Sequence, residues 1–205
     1  MATAQINIIN NSSNEHLHVA IYQKMDGPSM LNVAWRVASL SIGSTASLSV
    51  PDVYAIQVRY NRKGVNYRTR CLPINNYAGA YLVGGEENCI KLSEATDVQP
   101  DRRIVVAADA NTGFGVGVCA LLSGNPVYGP VYINPTTQIN FGIRPGFFFI
   151  ALVNADITAG SYLEGNILTE TETAIRPDQT ITISSNDEGG YTFAVKQGLD
   201  TAECA

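Results

Sequence analysis

The apolar residues of this chain predict an all-β fold, a β-sandwich, because they alternate with polar residues along nearly every apolar segment. A period of two places one set of side chains toward a core and the other toward solvent, as in a strand. Turn residues separate these short segments at regular intervals, which is typical of a sandwich or a barrel. No segment has a 3.6-residue period long enough to predict a helix.

The clearest predicted strand covers residues 54–60, with apolar side chains on one face and Gln57 and Arg59 on the other. The segment 147–153 is apolar on both faces, so it predicts a central strand that is covered on both sides or faces a partner. Other predicted strands are marked by these alternating apolar positions: Ile6 and Ile8; Leu17, Val19 and Ile21; Phe114, Val116 and Val118; Ile139, Phe141 and Ile143; Ile181 and Ile183; Tyr191, Phe193 and Val195.

Three segments rich in Asn, Ser, Asp, Lys or Gly are predicted hairpin loops, namely 10–14, 62–64 and 186–190. Such residues tolerate positive φ or cap a chain reversal. The glycine-rich segment 113–117 lies in an alternating strand with no helical pattern after it, so we interpret it as a bulge or a close backbone approach.

The chain is faintly similar to itself over a repeat of about 95 residues, the length of one small sandwich. We therefore predict an N-terminal β half at 1–98 and a C-terminal β half at 99–205, Greek-key-like and either tightly packed or one continuous domain. The corresponding segments are INIINNSSNEHLHVAIYQ with SIGSTASLSVPDVYAIQV, and IVVAADANTGFGVGVCAL with YINPTTQINFGIRPGFFFIAL.

Composition limits the classes of partner. Charged residues make up only 15% of the chain, below the roughly 25% of average soluble domains, and charge-poor surfaces associate readily. We therefore expect a homo-oligomer or a larger assembly. The net charge of −5, with 13 basic residues spread along the chain, predicts no nucleic-acid partner.

No apolar run is long enough to predict a transmembrane segment. The start of the sequence lacks the pattern of a secretory signal, so we expect a protein that is cytoplasmic as synthesised, with later export or release left open.

Catalytic and metal-binding patterns are not found in the sequence. Its two histidines, His16 and His18, share one strand face, and two ligands on one strand do not complete a metal site. Neither lies near a nucleophile signature. The four cysteines form no C-x-x-C pair, and a bridge between Cys71 and Cys89 is left open. We therefore predict no enzyme, no metal and no cofactor.

The segment 59–70 is the one basic stretch that also carries tyrosines. The simpler interpretation is a hairpin whose charges are solvated, and the alternative is contact with a small anion, a glycan or a lipid headgroup. Trp35 is most simply a core residue, and the alternative is a stacking platform for sugar or lipid. The candidate ligand-binding residues are Trp35, Tyr60, Arg62, Tyr67 and Arg68.

Several segments resemble the bacterial proteins related to the rhizosphere-expressed protein RhiA, over residues 5–60 and 104–195. The resemblance implies a β-sandwich-like bacterial protein associated with interaction with a host or the surroundings, and it supplies no catalytic residues. The segments that carry it are INIINNSS, VAIYQK, LNVAWRVASLSIGSTASLSV and VGVCALLSGNPVYGPVYINPTTQINFGIRPGFFFIALV.

Three functions follow from these observations. The leading hypothesis is a non-enzymatic interaction or structural protein that binds copies of itself or another macromolecule. The second is a carbohydrate- or lipid-binding module, either a lectin or a membrane-active toxin. A hydrolase ranks last, because no nucleophile and base can be named.

Overall fold

The computed structural model describes residues 4–24, 26, 32–86, 89–95, 103–169 and 172–197. Nearly all of the regular structure in these residues is β, apart from a one-turn 3₁₀ helix at Ala110–Thr112. This confirms the all-β, sandwich-like fold. Within the described residues, no helix has the length and apolar character needed to cross a membrane.

The strands are, in chain order, β1 Gln5–Asn10, β2 His16–Tyr22, β3 Ala34–Ser41, β4 Thr45–Ser49, β5 Tyr54–Arg62, β6 Val65–Arg68, β7 Leu72–Pro73, β8 Gly79–Glu86, β9 Cys89–Glu94, β10 Ile104–Ala108, β11 Val116–Leu122, β12 Asn125–Ile133, β13 Gln138–Phe141, β14 Phe148–Leu152, β15 Thr173–Ile175, β16 Gln179–Ser185 and β17 Tyr191–Gln197.

The strands form four sheets. Sheet I has the order β17-β16-β1-β4, and sheet II has the order β15-β14-β2-β3. Sheet III has the order β12-β11-β5-β6, with β7 also paired to β5, and sheet IV has the order β13-β10-β8-β9. The pairs β1–β16 and β8–β10 are parallel, and the other pairs are antiparallel.

The strand pairing repeats along the chain. β1 lies between antiparallel β4 and parallel β16, just as β10 lies between antiparallel β13 and parallel β8. Likewise β2 lies between β3 and β14, and β11 lies between β12 and β5. Each of the four sheets therefore combines strands from both halves of the chain, 1–98 and 99–205.

One apolar cluster extends across strands of all four sheets. Trp35 is fully buried in it, where its indole stacks on Phe148 at 5.2 Å between ring centroids. The indole N–H donates to the carbonyl oxygen of Leu122 at 3.2 Å. Since Trp35 lies on β3 and Leu122 on β11, this hydrogen bond joins sheet II to sheet III.

The hairpin prediction is wrong for residues 10–14, because β1 belongs to sheet I and β2 to sheet II, so these residues form an arch between sheets. The buried Asn10 side chain satisfies the polar groups of the arch: it accepts from the Ser12 amide at 3.0 Å and donates to the Leu40 carbonyl at 3.2 Å. The hairpins at 62–64 and 186–190 are confirmed, and so is the central strand β14.

Candidate functional site

A groove of about 510 Å³ lies on sheet III, beside the β5–β6 hairpin. Its volume falls within the roughly 300–1,000 Å³ of small-molecule sites. Its lining combines arginines, aromatic rings and carboxamides, namely Arg59, Tyr60, Asn61, Asn66, Tyr67, Arg68, Phe114, Gly115, Pro130 and Tyr132.

One row of residues crosses all four main strands of this sheet. Arg68 is the cross-strand partner of Arg59, Arg59 of Gly117, and Gly117 of Tyr132. Cross-strand partners lie on the same face of a sheet. A Cβ at Gly117 would lie 2.9 Å from Cβ of Pro130 and 3.5 Å from Cε1 of Tyr132. Glycine at this position therefore allows the Pro130 side chain to lie close to β11, while the Tyr132 ring lies at van der Waals distance in the same row as Arg59.

Local hydrogen bonds hold the hairpin that carries the two arginines. The Asn61 side-chain amide donates to Oδ1 of Asn66 at 2.8 Å, and Oδ1 of Asn61 accepts from the Gly64 amide at 3.1 Å. The turn places Lys63 and Gly64 at positive φ, 50° and 79° respectively, as a two-residue hairpin turn requires. These contacts fix the turn and the two carboxamides of the hairpin.

Three aromatic rings pack together along the groove. Tyr60 and Tyr67 are cross-strand partners, and their rings stack with centroids 5.3 Å apart. The Tyr60 ring also contacts Phe114, at 5.9 Å. Because successive residues of a strand face opposite sides of a sheet, the rings of Tyr60 and Tyr67 lie on the core-facing side, opposite the row of Arg59, Arg68 and Tyr132. On the arginine face the open aromatic surface is Tyr132, which is 72% exposed.

The groove is positively charged although the chain as a whole is acidic. The strands of sheet III contain three arginines, Arg59, Arg62 and Arg68, and no acidic residue. Within the described part of the chain, neither Arg59 nor Arg68 forms a salt bridge. An anionic group entering the groove would meet these charges without a competing carboxylate among the lining residues.

The structure brings together three of the five residues that the sequence singled out. Tyr60, Tyr67 and Arg68 all line the groove, whereas Arg62 lies on the same hairpin outside the lining. Trp35 is fully buried. The alternative of Trp35 as an exposed stacking platform is therefore corrected, and it is a core residue.

Sequence reasoning missed the two most informative residues of the groove. Arg59 lies in the basic segment 59–70, but the alternation of Arg59 with apolar residues does not indicate that it is opposite Arg68. Tyr132 lies more than 60 residues further along and reaches the groove only because β11 pairs with both β5 and β12. No local pattern marks such a neighbour.

In the described part of the chain, the other reactive side chains do not combine into a site. His16 and His18 lie on β2, and Nδ1 of His18 is 3.1 Å from Oγ of Ser39. The described residues contain no group of three or more metal-ligating side chains. Cys71 and Cys89 are free and exposed thiols. Burial raises the pKa of the Cys119 thiol to about 11, which disfavours the reactive thiolate.

No protein-family model, curated protein or solved structure matches this chain. The resemblance to the RhiA-related proteins therefore stays a prediction. The function is therefore inferred from the chemistry of the groove.

Proposed function

We propose that this chain is a non-enzymatic binding protein whose groove on sheet III takes a carbohydrate. The observation that carries this proposal is the exposed Tyr132 ring on the same sheet face as two arginines and two carboxamides, in one recess of about 510 Å³. A tyrosine offers an apolar face to a sugar ring and a polar tip to its hydroxyl groups. Arg and Asn side chains supply hydrogen bonds of fixed direction.

The lining favours binding over catalysis. Among the described residues that line the groove there is no Asp, Glu, His, Cys, Ser, Thr or Lys. Tyrosine is the one common acid–base group in this lining, and glycoside hydrolysis ordinarily needs a pair of carboxylates flanking the bond. A sugar held here would meet aromatic surfaces and hydrogen-bond donors, which are the groups of a recognition site.

The test is a glycan array followed by calorimetry on the best ligand. We expect Tyr132→Ala to lower the affinity by about tenfold, since stacking on one aromatic ring is worth on the order of 1 kcal/mol. We expect Tyr132→Phe to retain most of the affinity, because it keeps the ring. Tyr77→Ala removes another partly exposed tyrosine that does not line the groove, so it serves as the matched control. Silence of the array with all carbohydrate classes would refute the proposal.

A second proposal, self-association through sheet I, depends on a separate observation. The edge strand β17 pairs with β16 over seven residues without a register shift, and its only charged residue is Lys196. The other edge strand, β4, has the sequence TASLS and carries no charge. Long, regular and charge-poor edges are templates for pairing with a second chain.

Light scattering from low to high micromolar concentration tests self-association. We expect concentration-dependent growth that Ala194→Lys prevents, because Ala194 is an exposed residue of β17 and a second charge there opposes strand addition. Ala159→Lys makes the same change in an exposed loop and should leave the growth intact. A constant mass of 22.0 kDa at all concentrations would contradict this proposal.

A further inference from the structure

Two like charges are directly opposed in the groove. Arg59 and Arg68 are cross-strand partners in the β5–β6 hairpin, so both side chains leave the same face of the sheet. Like charges at directly opposite positions destabilise a strand pair. No salt bridge to Arg59 or Arg68 within the described residues offsets this repulsion. The arrangement therefore favours a ligand that brings negative charge between the two guanidinium groups.

The geometry points to an anion subsite formed by Arg59 and Arg68, which takes the carboxylate or sulfate group of an acidic sugar. This inference rests on the proposed carbohydrate-binding function and names the class of carbohydrate. A guanidinium presents a planar fork of N–H donors that matches the two oxygens of a carboxylate or sulfate. Two such forks side by side fit one anionic substituent, while the sugar ring lies against Tyr132 in the same row.

The neighbours of the arginine pair favour a sugar acid over a lipid headgroup. The pair lies in a recess with Asn61, Asn66 and Tyr132. These side chains can hydrogen-bond the hydroxyl groups of a sugar ring. A surface that binds a bilayer instead inserts apolar side chains into the boundary between headgroups and acyl chains. The recess is thus better matched to a glycan than to a flat membrane.

The experiment compares two anionic probes with a neutral probe that has the same sugar backbone as one of them. Isothermal titration of the full chain uses trigalacturonic acid and a sulfated heparin tetrasaccharide as anionic probes, and trigalacturonic acid with its carboxylates methyl-esterified as the neutral probe. We expect at least one anionic probe to bind, and the acid to bind more tightly than its ester by about tenfold or more, the size expected for charge-assisted hydrogen bonds. Raising the salt concentration should weaken binding of the anionic probes and leave the ester unaffected.

Three variants separate the subsite from the general positive charge of the hairpin. Arg59→Gln and Arg68→Gln should each weaken binding of the anionic probes by about tenfold. Arg70→Gln removes the same charge two residues from Arg68, at an exposed position outside the groove lining, and should weaken binding by about twofold or less. The Arg59 and Arg68 variants should be at least as stable to heat as the parent chain, because each removes a like-charge contact.

The possible outcomes separate the anion subsite from the proposed carbohydrate binding. Equal affinity for the acid and its ester, lowered by Tyr132→Ala, would overturn the anion subsite and support carbohydrate binding. Binding of inorganic sulfate that is lost in Arg59→Gln, with no glycan bound, would support an anion site and overturn the carbohydrate. Binding only to phosphatidylserine vesicles would overturn the sugar acid in favour of a lipid headgroup. An effect of Arg70→Gln as large as that of Arg68→Gln would also overturn the subsite.

Discussion

Replacing Trp35 by phenylalanine tests whether this residue acts in the core or in ligand binding. The substitution keeps an aromatic ring to pack on Phe148 but removes the indole N–H that donates to the Leu122 carbonyl. Loss of that buried hydrogen bond costs about 1 kcal/mol. The smaller ring also leaves a cavity at a position with 0% exposure, which adds about 1–3 kcal/mol. The free energy of unfolding should therefore fall by about 2–4 kcal/mol.

Urea unfolding followed by circular dichroism measures this loss, since the variant has no tryptophan left to report by fluorescence. With an m-value of about 2–3 kcal/mol per molar urea, the midpoint should move down by about 1 M. The affinity for a groove ligand should stay unchanged, because Trp35 does not line the groove. A stability loss below about 0.5 kcal/mol, together with weaker ligand binding, would refute the assignment of Trp35 to the core.

Three further predictions concern the ion pair, the cysteines and the intertwined halves. Partial burial raises the pKa of Glu172, but the neighbouring Lys24 and Tyr22 together outweigh this and hold the pKa below its ordinary value. The stabilisation is therefore present near neutral pH and lost as the pH falls below about 4.5, so the difference in unfolding free energy between Glu172→Gln and the parent chain should shrink in acid. In the folded chain a thiol reagent should label Cys71 and Cys89 but not the buried Cys119, as read by peptide mass spectrometry. Equal labelling of all three would contradict the burial of Cys119. The halves 1–98 and 99–205, expressed singly, should lack stable structure by circular dichroism, because every sheet contains strands from both halves. Co-expressed, they should form a folded complex. Stable folding of each half by itself would contradict this prediction.

Much of the local structure could be predicted from residues that are close in the sequence. The strand at 54–60 is contained in β5, and Ile56 and Val58 are buried while Arg59 is exposed, as predicted. Gln57, predicted on the face of Arg59, is buried instead, and its side-chain amide donates to the Thr69 carbonyl at 3.3 Å. The glycine interpretation holds at Gly117, where the backbones approach closely beside a register shift between β11 and β12. It is wrong at Gly113, which ends the 3₁₀ helix at a φ of 72°, because β11 begins only at Val116. Alternation and turn chemistry depend only on a strand and its own loops, so they can be read without knowing the neighbours.

The sequence was less informative where two sheets meet. The arch at 10–14 has the composition of a hairpin loop, because Asn and Ser satisfy backbone groups equally well in both. What separates the two is whether the following strand pairs with β1 or packs in another sheet. Here β1 pairs with β16, more than 160 residues away, and β2 pairs with β14.

The sequence by itself determined the all-β class, most strands and their buried faces, and the basic tyrosine-bearing hairpin. Only the tertiary structure decided that each sheet combines both halves of the chain, that Trp35 is buried, and that Tyr132 lies in one row with Arg59 and Arg68. The physical reason is that alternation specifies which side chains face inward, whereas the choice of neighbouring strand comes from long-range packing and register. The groove forms because β11 pairs with both β5 and β12.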